Sequence, residues 1–520
     1  MNNRSLFACT FLVLLSPHVD STQSQPTPSL VPPKSDCGIS LPKSCSCSPS
    51  DKGVSFSCFE AALTAVPKID VGPKVIKTLN LGKNRLTTIN MGDFYGLKIT
   101  RLLLSNNSLS ELPLLAFWGL EYHLETLDLS YNRLTSVPSD ALKLLRNLRS
   151  LVLTANRISI LRHFDFGYLR RLDILALDSN PIHSISSTAF MDTQLLLLKL
   201  DHVGLQQGLG QLPTKSLSKL QGLTLSLNGI RFIPPAWFKQ MDSLRYLRLD
   251  SNSLKFITNE TFTGIEDSLR TLELNGNDLL YLPVLTIRQL SMLEDLSIAG
   301  NRLRKILTGS FNSSKLLKTL DLSHNFISTI SAFAFRGLDN VRRIDLRFNH
   351  LYTLDDRTLY WPTSADRQVF LSHNPWLCNC QIKWMKHDHK WHADRFQVVV
   401  DAQDLLCDRP KYLQGHAVVR TFLRDFTCTH DYFLYYFYED PKDDVSNDFD
   451  DDYADEEDEY VTDDSDVIEM DKDVQKDQEV DDDVSDDVTE RSGSGSGRLG
   501  DDDAELSSAD YDDEINISTV

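Results

Sequence analysis

The stretch 127-LDLSYNRL-134 is followed by 151-LVLTANRI-158 and then by 175-LALDSNPI-182. All three share the pattern L-x-L-x-x-N-x-L/I. It recurs around Asn84, Asn107, Asn132, Asn156, Asn180, Asn228, Asn252, Asn277, Asn301, Asn325, Asn349 and Asn374, at spacings of 23 to 25 residues wherever neighbours are present. One rung differs: 198-LKLDHVGL-205 has Val203 where asparagine is expected. Thirteen repeats thus carry twelve asparagines. No unit this short can bury an apolar face alone, so a fixed period predicts stacked units, a solenoid.

In L-x-L, two leucines share one face of a short strand and the middle residue takes the other. Stacked leucines make a continuous core. The asparagine closes the turn, and a ladder of turns gives its buried amide the partners it requires. Apolar anchors in the second halves are read as Phe94, Phe117, Phe166, Phe190, Trp237, Phe262, Phe311 and Phe335. Val203, with Gly204, Gly208 and Gly210, marks the expected irregularity.

A solenoid exposes its core at both ends and needs caps there. Cysteines sit at those ends: Cys37, Cys45, Cys47 and Cys58, then Cys378, Cys380, Cys407 and Cys428, with none between the groups. Even counts predict disulfides made in an oxidising compartment; C-x-C spacing without paired C-x-x-C knuckles argues against zinc. The ninth cysteine, Cys9, lies in an N-terminal leader whose apolar run, Leu6–Leu15, is short for a membrane span. With Arg4 before it and small residues at Val19 and Ser21, residues 1–21 read as a secretory signal, with a short membrane anchor as the alternative. Secretion to the extracellular space or matrix is the expectation.

The repeat is that of leucine-rich repeats. The first cysteine group resembles the N-terminal cap of extracellular members, and 374-NPWLCNCQIKW-384 with Cys407 and Cys428 resembles their four-cysteine C-terminal cap. That resemblance implies an α/β repeat fold, a curved solenoid with parallel strands on the concave face. It also implies the pairings Cys37–Cys47, Cys45–Cys58, Cys378–Cys407 and Cys380–Cys428. The expected organisation is signal 1–21, linker 22–36, cap 37–70, repeats 71–374, cap 375–430 and acidic tail 431–520. The whole looks like the small leucine-rich proteoglycans, nearest the chondroadherin- and nephrocan-like type. What this implies is binding of matrix proteins such as collagen, or of growth factors. Toll-like ectodomains and platelet glycoprotein receptors supply a second expectation, a soluble immune or adhesion factor.

Between Glu439 and Val520 there are 35 acidic and 5 basic residues, a charge of −30 within a chain of −20, which leaves the rest at +10. Such a segment is expected to be disordered, to attract basic proteins and to associate weakly with calcium. A mineral-associated acidic protein is therefore a third reading. Tyr453, Tyr460 and Tyr511 each follow an acid and resemble tyrosine-sulfation contexts. The run 490-ERSGSGSGRLGDDD-503 resembles a glycosaminoglycan attachment site, with Ser492, Ser494 and Ser496 as acceptors; a flexible linker has the same composition. Asn106, Asn259, Asn312 and Asn516 head N-glycosylation sequons.

Outward strand positions nominate a contact surface. Val152, Ile174, Ala176 and Leu197 form an apolar patch followed by Lys199, Tyr246 and Arg248, the composition of interface anchors. Glu273, Asp295, Asp321 and Asp345 form an acidic zone beyond it. No phosphate loop or nucleophile elbow is present, so catalysis is not expected. The one metal candidate, His387, Asp388, His389 and His392, is also consistent with a solvated helix, and neither a metal nor another cofactor is expected.

Overall fold

The computed structural model describes residues 37, 44–50, 53–69, 72, 74–205, 209–359, 367–385 and 399–427. The leader, the linker, Cys428, the 386–392 metal candidate, Asn516 and the acidic tail with its serines and tyrosines lie outside them.

A 15-stranded sheet organises the fold. It opens with an antiparallel pair, Ser46–Ser50 with Gly53–Ser57. Every later strand adds in parallel, from Val75–Asn80 to Gln368–Phe370, one for each of the thirteen repeats. Most have the form of Thr126–Asp128, with a buried central leucine between two half-exposed neighbours. Such alternation is the strand period at work, one face packed and one solvated.

Behind the sheet the leucines form one continuous core, joined by a file of phenylalanines. Phe166 and Phe190 stack at 5.7 Å, Phe238 and Phe262 lie 5.8 Å apart, and Phe311 and Phe335 6.0 Å. The file corrects one expected anchor. Phe238, not Trp237, is fully buried, while Trp237 lies half-buried across its edge and donates from Nε1 to the Leu209 carbonyl.

Each asparagine satisfies at least four backbone groups, and Asn228 and Asn252 satisfy five. Asn107 Nδ2 donates to the carbonyls of Leu81, Leu104 and Ser105, and its Oδ1 accepts the Leu86 N–H at 3.0 Å. The residue before it always has left-handed φ, whether Asn106, Tyr131, Leu227 or Phe348. Side chains resist that conformation. It persists because the N–H points at the next rung, as Tyr131 N does to the Thr154 carbonyl at 2.8 Å.

At Val203 the ladder bends its rule rather than breaking. With no amide there, the Ile182 N–H turns back to the Asn180 carbonyl at 2.8 Å. The next rung compensates: Asn228 Oδ1 accepts both Val203 N and Gly204 N.

Disulfides close both ends. Cys37–Cys47 and Cys45–Cys58 join the first cap, and Cys378–Cys407 the second. Cys380 is also disulfide-bonded. Trp384 anchors the second cap to the last repeats by donating from Nε1 to the Leu354 carbonyl at 2.8 Å.

Candidate functional site: the solvent face of the sheet

In-register pairing lines the outward side chains into columns. Val152, Ala176, Lys199, Thr224 and Arg248 sit side by side in one, and Ser150, Ile174, Leu197, Gly222 and Tyr246 in the other. The nominated residues are therefore brought together, with the strand Gly222–Thr224 set between Lys199 and Tyr246. Val152, Ile174 and Leu197 are half-exposed. Ala176 is only 5% exposed, so it forms floor rather than contact surface.

Gly222 is a feature that sequence reasoning passed over. A Cβ at this position would stand 2.8 Å from Leu197 Cδ1 and 3.8 Å from Tyr246 Cδ1. Gly222 is buried, and the space its side chain would take is filled by Leu197, which leans over the glycine toward Tyr246. Its signal in the sequence was a glycine at the outward position before the first leucine of a repeat.

Arg248 is not a spare cation. Its Nε donates to Asp250 at 2.8 Å and lies 3.2 Å from Glu273, which in turn accepts the Tyr246 hydroxyl at 3.2 Å. Burial and the nearby Asp250 raise the Glu273 carboxyl above its ordinary range. Burial and Glu273 likewise raise the Tyr246 phenol. A self-paired wall therefore closes one side of the apolar strip.

The acidic zone is revised more deeply. Several of its carboxylates cap backbone N–H groups at the strand ends. Asp321 accepts from Ser323 N at 2.9 Å and Asp345 from Arg347 N at 3.2 Å. Asp178, Asp201 and Asp250 do the same for the following repeat, accepting from Asp201, Ser226 and Asn275. Asp345 is also held by Arg343 at 3.0 Å and by Arg347, and both guanidinium groups lie over the Phe370 ring. Burial opposes ionisation of Asp345, but the arginine contacts outweigh it and hold the carboxyl below its ordinary range. These acids finish the ends of strands, and a charged ligand would have to displace partners already in place.

A cleft of about 390 Å³ lies elsewhere, lined by Ser139, Asp140, His163, Phe164 and Tyr168. Asp165 beside it accepts from Ser139 Oγ and from Arg162 N, and His163 Nδ1 contacts Thr188. Ser139 with Asp165, and His163 with Thr188, tie neighbouring repeats together. Among the described residues, no group of three metal-ligating side chains occurs. Asn106, Asn259 and Asn312 are all exposed.

Residues 98–158, 122–182, 218–279 and 291–351 match the leucine rich repeat family. The chain is 29% identical over 333 residues to podocan-like protein 1 of Mus musculus, covering 54% of this chain and 58% of that one. Toll-like receptor 3 of Boselaphus tragocamelus is 27% identical over 296 residues, 54% of this chain and 30% of that receptor. This chain thus spans less than two thirds of either relative's length. The solved Toll–Spatzle complex of Drosophila shares the fold, with a TM-score of 0.51 at 22% identity over 68% of this chain and 52% of that one. From its repeats, its asparagine ladder and the disulfides at both ends, the chain has the leucine-rich-repeat fold, and it resembles the small leucine-rich proteoglycans.

Proposed function

We propose that the protein acts outside the cell as a recognition scaffold, holding a matrix protein or growth factor against the sheet face between Val152 and Tyr246. The observation that carries this reading is the half-exposed apolar strip of Val152, Ile174 and Leu197, with Leu197 packed over the buried Gly222. A half-exposed apolar centre bounded by polar groups is the composition of a contact core. Parallel strands fix these side chains in register, so little ordering entropy opposes binding. Tyr246 and Lys199 stand at the margin, with Arg248 steadying Tyr246 through Glu273.

An extracellular setting is supported by the disulfides and by the apolar leader. In that setting Asn106, Asn259, Asn312 and Asn516 are candidate glycan sites. Ser492, Ser494 and Ser496 are candidate glycosaminoglycan acceptors, and Tyr453, Tyr460 and Tyr511 candidate sulfotyrosines. The acidic tail would then draw basic proteins and loosely held calcium. Likeness to Toll-like receptor 3 favours a second reading, a soluble immune factor using the same face.

One variant carrying Ile174→Ser, Leu197→Ser and Tyr246→Ala tests the proposal. Retention would be measured on fibrillar collagen, on fibroblast-deposited matrix and on immobilised basic growth factors. The expected result is at least tenfold weaker retention on the surfaces that hold the parent. Unchanged retention, at an unchanged urea midpoint, would remove this face from the account.

A further inference from the structure

The turn after each ladder asparagine forms a flank beside the sheet. Residues one and three past the asparagine point to solvent, while the residue between them is a buried leucine, isoleucine or tryptophan. Main-chain bonds lock neighbouring turns together, as Arg157 N does to the Leu134 carbonyl at 2.8 Å and Arg302 N to the Leu279 carbonyl at 2.9 Å. Successive turns are therefore rungs of one ladder, spaced at about 4.8 Å as in paired strands.

Cations dominate this flank. Arg133 and Arg157 occupy adjacent rungs, Arg231 and Lys255 another adjacent pair, and Arg304 stands with Lys305 further on. All six are exposed, and among the described residues none of them is in an ion pair. Arg302 is held by Asp278 at 2.8 Å. Among the described residues Asp278 is the only acid at these two outward positions; Glu111 stands one residue further along its turn, as Lys305 does. The contrast with the sheet face is sharp, since there Asp178, Asp201 and Asp250 line the strand ends. None of the exposed sequon asparagines occupies an outward position of the flank.

We propose that this flank binds a linear sulfated polysaccharide laid across successive repeats. Cations paired on adjacent rungs, Arg133 with Arg157 and Arg231 with Lys255, and separated by rungs without one, suit a ligand whose charges repeat along an extended chain. Guanidinium groups present paired donors that match the oxygens of a sulfate. No pocket is required, because affinity accumulates from many weak contacts and from counterions released along the polyanion. A nucleic acid has the same sign of charge, but single-stranded forms are held mainly by bases stacking on rings. Among the described residues, ring pairs on this flank are Phe232 with Phe256 at 6.1 Å and Phe326 with His350 at 5.3 Å, and the rungs of Arg133 and Arg157 carry none.

The test uses the full chain and a heparin dodecasaccharide, with affinity read by calorimetry at several salt concentrations. The parent should bind with an affinity that falls steeply as salt rises. Arg133→Glu with Arg157→Glu should weaken binding at least tenfold. Arg146→Glu with Arg170→Glu makes the same change of net charge away from the flank and should stay within twofold. Both variants alter exposed side chains, and unchanged urea midpoints would exclude misfolding. The proposal is overturned if the parent does not bind heparin, or if the two variants weaken binding equally. Tighter binding to an RNA duplex or single strand of matched charge would overturn it as well.

Discussion

Two stretches of the same sheet face behave in opposite ways. Between Val152 and Tyr246 the outward side chains are largely aliphatic and half-exposed, and Leu197 packs over the buried Gly222. Between Thr319 and Phe370 half of the outward side chains are charged and they engage their neighbours: Arg343 and Arg347 grip Asp345 and cover Phe370. The lesson concerns what a charge on a surface means. A carboxylate that already accepts from the backbone and from two guanidinium groups stabilises its own strand. An aliphatic side chain left in water has no such internal use, and that stretch is where a partner gains most.

The largest expected effect lies in the charged stretch. Asp345→Ala would strand two guanidinium groups and an N–H; a loss of about 2 kcal/mol is expected, since both arginines are partly exposed and solvent screens them. Hydrogen exchange around the strand Arg343–Asp345 would show it as local loss of protection. An effect no larger than that of a random surface substitution would break the comparison. Next comes Leu197→Asp in the apolar stretch. Stability should move by less than about 0.5 kcal/mol, while partner retention falls about tenfold, roughly 1.4 kcal/mol. Gly222→Val should be milder, pushing Leu197 aside because the new Cβ would stand 2.8 Å from its Cδ1, and weakening retention a few-fold.

Acidification gives the smallest and most discriminating effect, because its sign differs between the charged groups bordering each stretch. Asp345 is held below its ordinary value in the folded protein, so its contribution is present above the unfolded value of about 3.9. It is lost only as pH falls through the lower folded value. Glu273 is raised, so its contribution is fully present below the unfolded value of about 4.3. That contribution is lost as pH rises through the higher folded value. Moderate acidification should therefore increase protection around Tyr246–Arg248 while leaving Arg343–Asp345 unchanged. Parallel responses in the two places would contradict the assigned environments.

Much of this architecture was legible in the sequence. L-x-L with a buried asparagine at fixed spacing states both the strand and its turn, and each of the thirteen repeats has its strand. Trp237 was read as the anchor because periodicity cannot rank two adjacent aromatics; packing selects Phe238. The outward columns were legible too, but not their use. Nothing in the letters says that Asp321 accepts from Ser323 N or that Asp345 accepts from Arg347 N, so structural carboxylates read as an acidic zone. Gly222 escaped notice because its contribution is the absence of a side chain. The basic flank was missed because only strand positions were aligned, although the turn positions obey the same period.

The most direct test sets the two stretches side by side. Retention on fibroblast-deposited matrix would be measured for the parent, for the Ile174→Ser, Leu197→Ser, Tyr246→Ala variant, and for a Gln368→Ala, Phe370→Ala variant of the charged stretch. The account predicts at least a tenfold loss for the first variant and less than a twofold change for the second. Equal losses, or a loss confined to the second variant, would contradict the claim that the apolar stretch is the recognition surface.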